Sequence, residues 1–391
     1  HDASYKQEEG VLYHARDMAV ARAHRQQIPV ILASATPSLE TMANVWNGRY
    51  RTIRLPDRFG GATMPDIQLI DLKIDKPDKG QFISPKLYGA ITDTLQRGEQ
   101  VLLFLNRRGY APLTLCRGCG HRFTCPRCTA WMVAHRRTGS LHCHHCGYET
   151  RVPKHCPSCN AEDSLVLCGP GVERIEEEVK SHYPDARTMI FSSDLANDPK
   201  LLTDSIAQIE SGKIDVVIGT QMIAKGHHFP GLTLVGVIDA DLGLSGGDLR
   251  AAERTFQLLQ QVSGRAGRAE KSGRVFLQTF MPENKVMQAL RANARDQFLA
   301  VESDERRAAI MPPYGRLAGV IISGKDEGQT KTFAQDLLRA APSSIVPGMK
   351  IWGPAEAPMY RLRGKFRFRL LVQSERGGIP QKTIADWIAS V

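Results

Sequence analysis

The sequence predicts an α/β protein: parallel sheet covered by helices on both faces, a cysteine-rich module inserted between two strands, and a small α+β unit at the carboxyl end. Three observations carry this expectation. Continuous apolar runs at 101–105, 188–191, 216–218, 234–238 and 275–280 alternate with amphipathic stretches near 85–97, 173–182, 200–211 and 249–261. Strands apolar on both faces belong to buried parallel sheets, with helices supplying the cover. Four Cys-x-x-Cys pairs crowd one stretch, Cys116/Cys119, Cys125/Cys128, Cys143/Cys146 and Cys156/Cys159, separated by five, fourteen and nine residues. Beyond Met311-Pro312-Pro313 the strand and helix pattern changes and stays short.

Composition narrows the class. Over 391 residues, 42% hydrophobic and 24% charged are the proportions of an ordinary globular chain. No apolar run approaches membrane-spanning length, so a soluble protein with no membrane partner is expected; a cytoplasmic location and a monomeric state are the accompanying expectations. The net charge of +10 points to a polyanionic partner. The chain opens at His1 without targeting character and reads as a piece of something longer.

In chain order, residues 11–27 are expected to be helical, 28–33 a buried strand and 39–46 a helix, together one unit over 1–60. Residues 61–84, rich in Pro, Gly, Asp and Lys, are expected to be a linker. The main α/β unit takes 85–115 and 169–284, with the cysteine module 116–168 inserted. A helical connector covers 285–312, and the last domain, 313–391, is expected to carry strands at 317–323 and 366–372 and helices near 329–341 and 380–390.

Two Cys-x-x-Cys pairs supply the four thiolates of one tetrahedral zinc site, so the eight cysteines predict two structural zinc ions with no open coordination position. Disulfides are the weaker alternative in a chain without a signal peptide. Spacing alone leaves the pairing open; a nested arrangement is preferred, because five residues between the first two pairs leave little chain to close around one ion. Cys168 is expected to be a buried spare.

Gln261-Val262-Ser263-Gly264-Arg265-Ala266-Gly267-Arg268 follows the helix near 249–261. It sets two guanidinium groups three residues apart beside glycine, which suits bidentate contact with phosphates and stabilisation of charge on a γ-phosphate. Ser34-Ala35-Thr36 and Gly219-Thr220-Gln221 each stand at the end of an apolar run, where α/β domains place their ligands.

In that order the three motifs resemble motifs III, V and VI of superfamily 2 helicases, which implies RecA-like helicase lobes, the first of them partial, with ATP in the cleft between. The cysteine pairs inside the second lobe, preceded by Phe104-Leu105-Asn106-Arg107-Arg108-Gly109-Tyr110 and followed by Ala224-Lys225-Gly226-His227-His228-Phe229-Pro230, narrow the resemblance to the PriA-type replication-restart helicases. His1-Asp2-Ala3-Ser4-Tyr5-Lys6-Gln7 is similar to that family's run through motif II. The resemblance implies ATP-driven 3′ to 5′ unwinding with Mg, and recognition of forked DNA, D-loops and single strands. It further implies partnership with single-stranded DNA-binding protein, with other primosome proteins and with the replicative helicase loader. By position, Arg265, Arg268 and Gly264 would contact ATP, Gln261 would join them in catalysis, and Ser34 with Thr36 would couple hydrolysis to movement. Thr220, Gln221 and Lys225 would touch the DNA backbone, and Tyr5, Lys6, Gln7, Tyr13, His14 and Arg16 resemble an aromatic-rich loop that senses single strands by stacking. A core-facing helix aromatic is the alternative for Tyr13.

Two features stand outside the match. No G-x-x-x-x-G-K-[ST] occurs, so this chain is expected not to hydrolyse ATP by itself. Arg361 to Arg369 alternates cations with apolar residues, as a strand with one basic face would, so Arg367 and Arg369 are candidate DNA contacts; a solvated edge strand guarded by charge is the alternative. Rival functions are a zinc-containing translocase of another superfamily 2 branch, and a non-enzymatic zinc-ribbon DNA scaffold.

Overall fold

A computed structural model describes residues 2–7, 11, 13–55, 64–78, 80–105, 113–116, 123, 125–126, 132–135, 140–142, 148–162, 165–168, 171–192, 195, 198–223, 229–244, 249–267, 272–341, 349–377 and 381–389. The amino-terminal part holds a short hairpin, β1 (Lys6–Gln7) and β2 (Tyr13–His14), then helices α1 (Ala15–Gln26) and α2 (Leu39–Trp46). Next come β3 (Asp66–Asp71), α3 (Pro85–Gln96) and β4 (Gln100–Leu105). The cysteine-rich module contributes β5 (Leu113–Cys116), β6 (Val133–His135), β7 (Ser140–His142), β8 (Glu149–Arg151) and β9 (Leu165–Cys168). The α/β series resumes with α4 (Val172–His182), β10 (Thr188–Phe191), α5 (Pro199–Glu210), β11 (Val216–Gly219), β12 (Leu232–Asp239), α6 (Ala251–Ser263) and β13 (Arg274–Thr279). A connector, α7 (Lys285–Arg291) and α8 (Arg295–Ala308), leads to β14 (Gly315–Gly324), α9 (Glu327–Arg339), β15 (Lys350–Leu362), β16 (Lys365–Glu375) and α10 (Gln381–Ala389).

Six parallel strands, in the order β10-β11-β4-β12-β13-β3, form the central sheet. Its two faces divide each strand by parity. Leu102, Phe104, Val235 and Val237 pack with Phe256, Leu259 and Val262 of α6 and with Met287, Leu290 and Phe298 of the connector. Val101, Leu103, Leu105 and Leu234 pack with Leu87 and Ile91 of α3 and Ile175 and Val179 of α4. Burial on both faces is why these strands read as unbroken apolar runs. Phe256 and Phe298 stack at 4.4 Å and fasten α8 to the lobe.

Four expectations need correction. Residues 28–33 form no strand: Ile28 is 52% exposed and Ile31 87%. A strand needs a neighbour to take its N–H and C=O groups, and none of the described strands pairs with this run. The expected linker 61–84 contains β3, which pairs in parallel with β13 from Asp66↔Arg274 to Asp71↔Thr279 and buries Ile67 and Ile70. The expected single strand 361–369 is a hairpin. Arg363 (φ 52°) and Gly364 (φ 79°) both take positive φ, the demand of a two-residue turn of type I′, so Arg361 lies on β15, one residue before its end, while Arg367 and Arg369 lie on β16. β16 is also the central strand, between β14 and β15, which removes the edge-strand alternative. β15 itself was not foreseen, because Gly353, Pro354 and Pro358 interrupt the run. It is an edge strand with register shifts between Trp352 and Ala355 and between Glu356 and Arg361, where such residues are tolerated.

In the carboxyl-terminal domain one sheet face is core: Leu370 and Val372 of β16 pack against Leu337 of α9 and Trp387 of α10. The hairpin tip is shared with the cysteine-rich module, where Leu362 packs on Phe123, Cys125, Met132 and Leu141.

Candidate functional site

The polar face of α6 is where the separated motifs meet. Gln261 Nε2 donates to Thr36 Oγ1 at 3.4 Å, so the first and last of the three motifs touch although 225 positions separate these residues. One turn back, Gln257 Nε2 donates to the carbonyls of Thr36 (3.3 Å) and Pro37 (3.4 Å). Two turns back, Glu253 Oε1 accepts the Leu39 backbone N–H at 2.9 Å. From the connector, Arg295 donates to the Ala35 carbonyl at 3.0 Å. Within the motif the Thr36 N–H donates to Ser34 Oγ at 3.1 Å, a local turn that a small hydroxyl residue makes readily. Ser38 caps α2 by accepting from the Thr41 N–H. Thr36 and Leu39 are buried, and Leu39 joins the same apolar cluster as Phe256.

Past α6, Gly264 closes the helix and Arg265 follows, only 9% exposed, its N–H donating to the Val262 carbonyl. The loop is held from beneath. The Gly267 N–H donates to the Leu232 carbonyl at 3.1 Å, and Gly273 lies so close that a Cβ there would sit 2.4 Å from the Ala266 carbonyl carbon. Arg268 lies outside the described residues, as does Lys225. Thr220 and Gln221 are half-buried at the carboxyl end of β11.

Glu253, Gln257 and Arg306 were not singled out from the sequence. Arg306 of α8 donates to Glu253 Oε2 at 2.7 Å and to Glu302 Oε1 at 2.9 Å, with side-chain exposures of 7%, 3% and 6%. Burial works against the Arg306 charge, but the two carboxylates outweigh it and raise its pKa. Lys285 completes the group at 2.8 Å from Glu302, its pKa likewise raised against burial. Arg250 bonds Glu40 of α2 at 2.5 Å. Their spacing is regular, since 253, 257 and 261 recur every four residues along one stripe of α6, but a polar stripe at that spacing ordinarily faces water.

The amino-terminal candidates form a separate feature. β1 and β2 pair Lys6 with His14 and Gln7 with Tyr13; Tyr5 is 56% and Tyr13 48% exposed, so Tyr13 is not a core-facing helix aromatic. Arg16 is engaged, bonding Asp17 at 2.7 Å and Ser38 Oγ at 3.0 Å, and thereby ties the hairpin region to the α2 cap. Burial, then the Arg16 charge, lowers the pKa of His14 below its ordinary 6.5.

In the carboxyl-terminal sheet, Arg367 and Arg369 occupy the face opposite Leu370 and Val372. The register puts Ile321 (41% exposed) opposite Arg369 and Trp352 (55% exposed) opposite Leu371 on that same face, with the Trp352 indole N–H donating to Gln373 Oε1 at 3.3 Å.

Of the cysteines, Cys125 and Cys156 are buried and Cys159 is exposed. The Ser158 N–H points at Cys156 Sγ (3.4 Å), and the following chain folds back through Asn160 N–H to the Cys156 carbonyl (2.9 Å). A backbone amide aimed at the first sulfur of a Cys-x-x-Cys turn is a hydrogen bond that orients the sulfur as a metal ligand, so this pair fits a metal knuckle. Cys116 ends β5, its Cα paired with Leu165. Cys119, Cys128, Cys143 and Cys146 lie outside the described residues.

A six-stranded parallel sheet covered on both faces, whose α6 stripe gathers the Ser-Ala-Thr and Gln-x-x-Gly-Arg motifs, has the form of a RecA-like lobe of the helicase class, and the family match over residues 162–270 agrees. Residues 162–270 match the helicase conserved C-terminal domain, 125–151 the Cys-rich region domain of PriA DNA helicase, and 307–390 the primosomal protein N C-terminal domain. The replication restart protein PriA of Rickettsia felis is 47% identical over 391 residues, taking in 100% of this chain and 60% of that protein. PriA of Bacillus subtilis is 38% identical (95% of this chain, 46% of that one), and PriA of Haemophilus influenzae 37% (99% and 53%). Among solved structures, RecG bound to a three-way DNA junction aligns with 72% of this chain and 27% of its own at 12% identity and a TM-score of 0.38, a likeness too slight to build on. The chain belongs to the PriA family of replication restart proteins, and it spans 60% of the length of the Rickettsia relative. Among the described residues no helix is long and apolar enough to cross a membrane.

Proposed function

We propose that this chain is the motor-coupling and DNA-contacting portion of an ATP-dependent 3′ to 5′ DNA helicase, one that recognises stalled forks and D-loops and starts primosome assembly for replication restart. The observation that carries the reading is the contact between Thr36 and Gln261, with Arg265 four residues further on. Such a contact lets a nucleotide held by Arg265, Arg268 and Gly264 be sensed by the Ser34–Thr36 segment. ATP and Mg would supply the driving reaction, with the phosphate cradle provided by a sequence this chain does not contain. The 391 residues alone are therefore inactive as an ATPase. The exposed apolar run around Ile31 fits a strand that completes its sheet within the first helicase lobe.

DNA reaches the protein at three places in this reading: the Tyr5–Arg16 region by stacking, the loop after β11 through Thr220, Gln221 and Lys225, and the face of the carboxyl-terminal sheet opposite its apolar core. On that face Arg367 and Arg369 track phosphate, and the exposed Trp352 offers a base-stacking surface that charge alternation did not reveal. Single-stranded DNA-binding protein, other primosome proteins and the replicative helicase loader are the protein partners. Two structural zinc ions hold the cysteine-rich module. The register is compatible with nested pairing, since Cys116 at the end of β5 pairs with Leu165, six residues after Cys159, and Val133↔His142 belongs to a hairpin between the inner pairs.

The test is ATP hydrolysis, with and without forked DNA, by the longer polypeptide bearing a Walker A sequence, wild type beside Arg268→Ala. Fork-stimulated turnover lost in the variant is expected. No turnover in either, with DNA still bound, would overturn the helicase reading in favour of a zinc-ribbon scaffold.

A further inference from the structure

Glu253 belongs to none of the helicase motifs, yet it is the point at which three parts of the chain meet. Its carboxylate is 2% exposed in residue terms and takes donors from the Leu39 backbone (2.9 Å), from Gln257 on its own helix (3.3 Å) and from Arg306 of the connector (2.7 Å). Arg306 also reaches the carbonyl of Pro312 at 3.5 Å, three residues before the first strand of the carboxyl-terminal sheet. A buried ion pair stabilises no more than well-packed apolar side chains of the same volume, so fold stability alone does not call for charge here. What charge supplies is geometry: one oxygen serves the segment behind Ser34-Ala35-Thr36, the other serves the helix that leads into the carboxyl-terminal domain.

We propose that Glu253 is a positioning residue that fastens residues 36–39 onto α6, and that Arg306 makes this fastening respond to the placement of the carboxyl-terminal domain. DNA engaged by that domain is thereby felt at the cleft. The consequence for catalysis rests on the helicase reading; the fastening itself does not, and the two are tested separately.

The first arm uses the 391-residue chain and amide hydrogen exchange. Glu253→Gln accelerates exchange at Leu39 and its neighbours by about tenfold or more, the share of a hydrogen bond to a charged acceptor. Unchanged exchange there overturns the fastening. The second arm uses the longer polypeptide and measures ATP hydrolysis against DNA concentration. Arg306→Met combined with Glu253→Gln removes both charges and leaves buried Glu302 its bond to Lys285 alone, so the variant's melting temperature is measured beside its turnover. This double variant keeps the KM for ATP within about twofold and loses about tenfold in DNA-saturated kcat. Arg306→Lys, which keeps the charge, recovers part of that loss. Wild-type kcat in the double variant overturns the coupling, as does a loss that disappears once the assay is run well below the melting temperature. A wild-type protein that hydrolyses nothing would sink the helicase reading, and the exchange arm would still decide on the fastening.

Discussion

Gly273→Ala tests whether the Arg265–Gly267 turn is held from beneath by backbone contact. A Cβ built at Gly273 falls 2.4 Å from the Ala266 carbonyl carbon, 2.6 Å from its oxygen and 2.6 Å from the Gly267 nitrogen, whereas ordinary contact begins at 3.4 Å. The shortfall is 1.0 Å against the first of these, and all three atoms are backbone, so no rotamer change relieves it. Forcing a methyl group into such a space costs about 1–3 kcal/mol. Gly319→Ala is the matched control, because nothing lies within 4 Å of its added Cβ; it is expected to change stability by less than about 0.5 kcal/mol. Pulse proteolysis in urea, read band by band so that each domain reports separately, should show the helicase lobe losing its midpoint in the first variant only. In the longer polypeptide the same displacement carries Arg265 and Arg268 away from the nucleotide, and a misplacement of about 1 Å costs on the order of a hundredfold in turnover. Equal urea midpoints for the two variants, or wild-type turnover in Gly273→Ala, would refute the reasoning.

Three further outcomes are expected. Metal analysis should find two zinc ions per chain and one in Cys156→Ser; chelation should open 113–168 to protease and release Leu362 while the parallel sheet resists, and a chelated protein with unchanged cleavage would count against structural zinc. Arg367→Ala with Arg369→Ala should weaken DNA binding and lower the slope of log K against log[salt] by about 2, and Trp352→Ala should cost about 1–3 kcal/mol toward single strands, both read by fluorescence anisotropy; an unchanged slope removes the two arginines from the interface. His14, whose pKa is lowered, should remain neutral in the folded protein at a pH where the unfolded chain has already taken a proton; stability of the amino-terminal region is therefore full above about 6.5 and falls as pH drops through that value toward the folded pKa. An NMR titration placing the His14 midpoint above 6.5 would reverse the sign.

The central sheet was legible because burial on both faces leaves an unambiguous mark. Val101 to Leu105 and Leu234 to Ile238 have no polar alternation to confuse with a surface strand. β3 escaped for the opposite reason: Asp66, Gln68 and Asp71 interrupt its apolar residues, and it is an edge strand with only β13 beside it. Residues 28–33 illustrate the reverse failure. Local composition states that Ile28 to Ala33 prefers burial in a sheet, but whether a neighbouring strand exists is a property of the rest of the chain. The turn at Arg363-Gly364 carried a signal, a glycine between two cationic stretches, that charge alternation concealed until both φ values proved positive.

The candidate site divides in the same way. Gln261 to Arg268 could be named from the sequence because two cations beside glycine are a pattern suited to phosphate, and Ser34-Ala35-Thr36 because it closes an apolar run. Glu253 and Gln257 could not, since a polar stripe on an amphipathic helix ordinarily faces water, and on sequence grounds theirs does too. The distinction lies in what covers the stripe: the segment from Thr36 to Leu39 on one side and Arg306 on the other, with Glu253 left 2% exposed. A carboxylate so enclosed is strongly destabilising once any one of its donors leaves without replacement. That sensitivity is what the positioning role proposed for Glu253 requires, since a displacement too small to unpack Phe256 from Phe298 would still break a 2.7 Å charged contact.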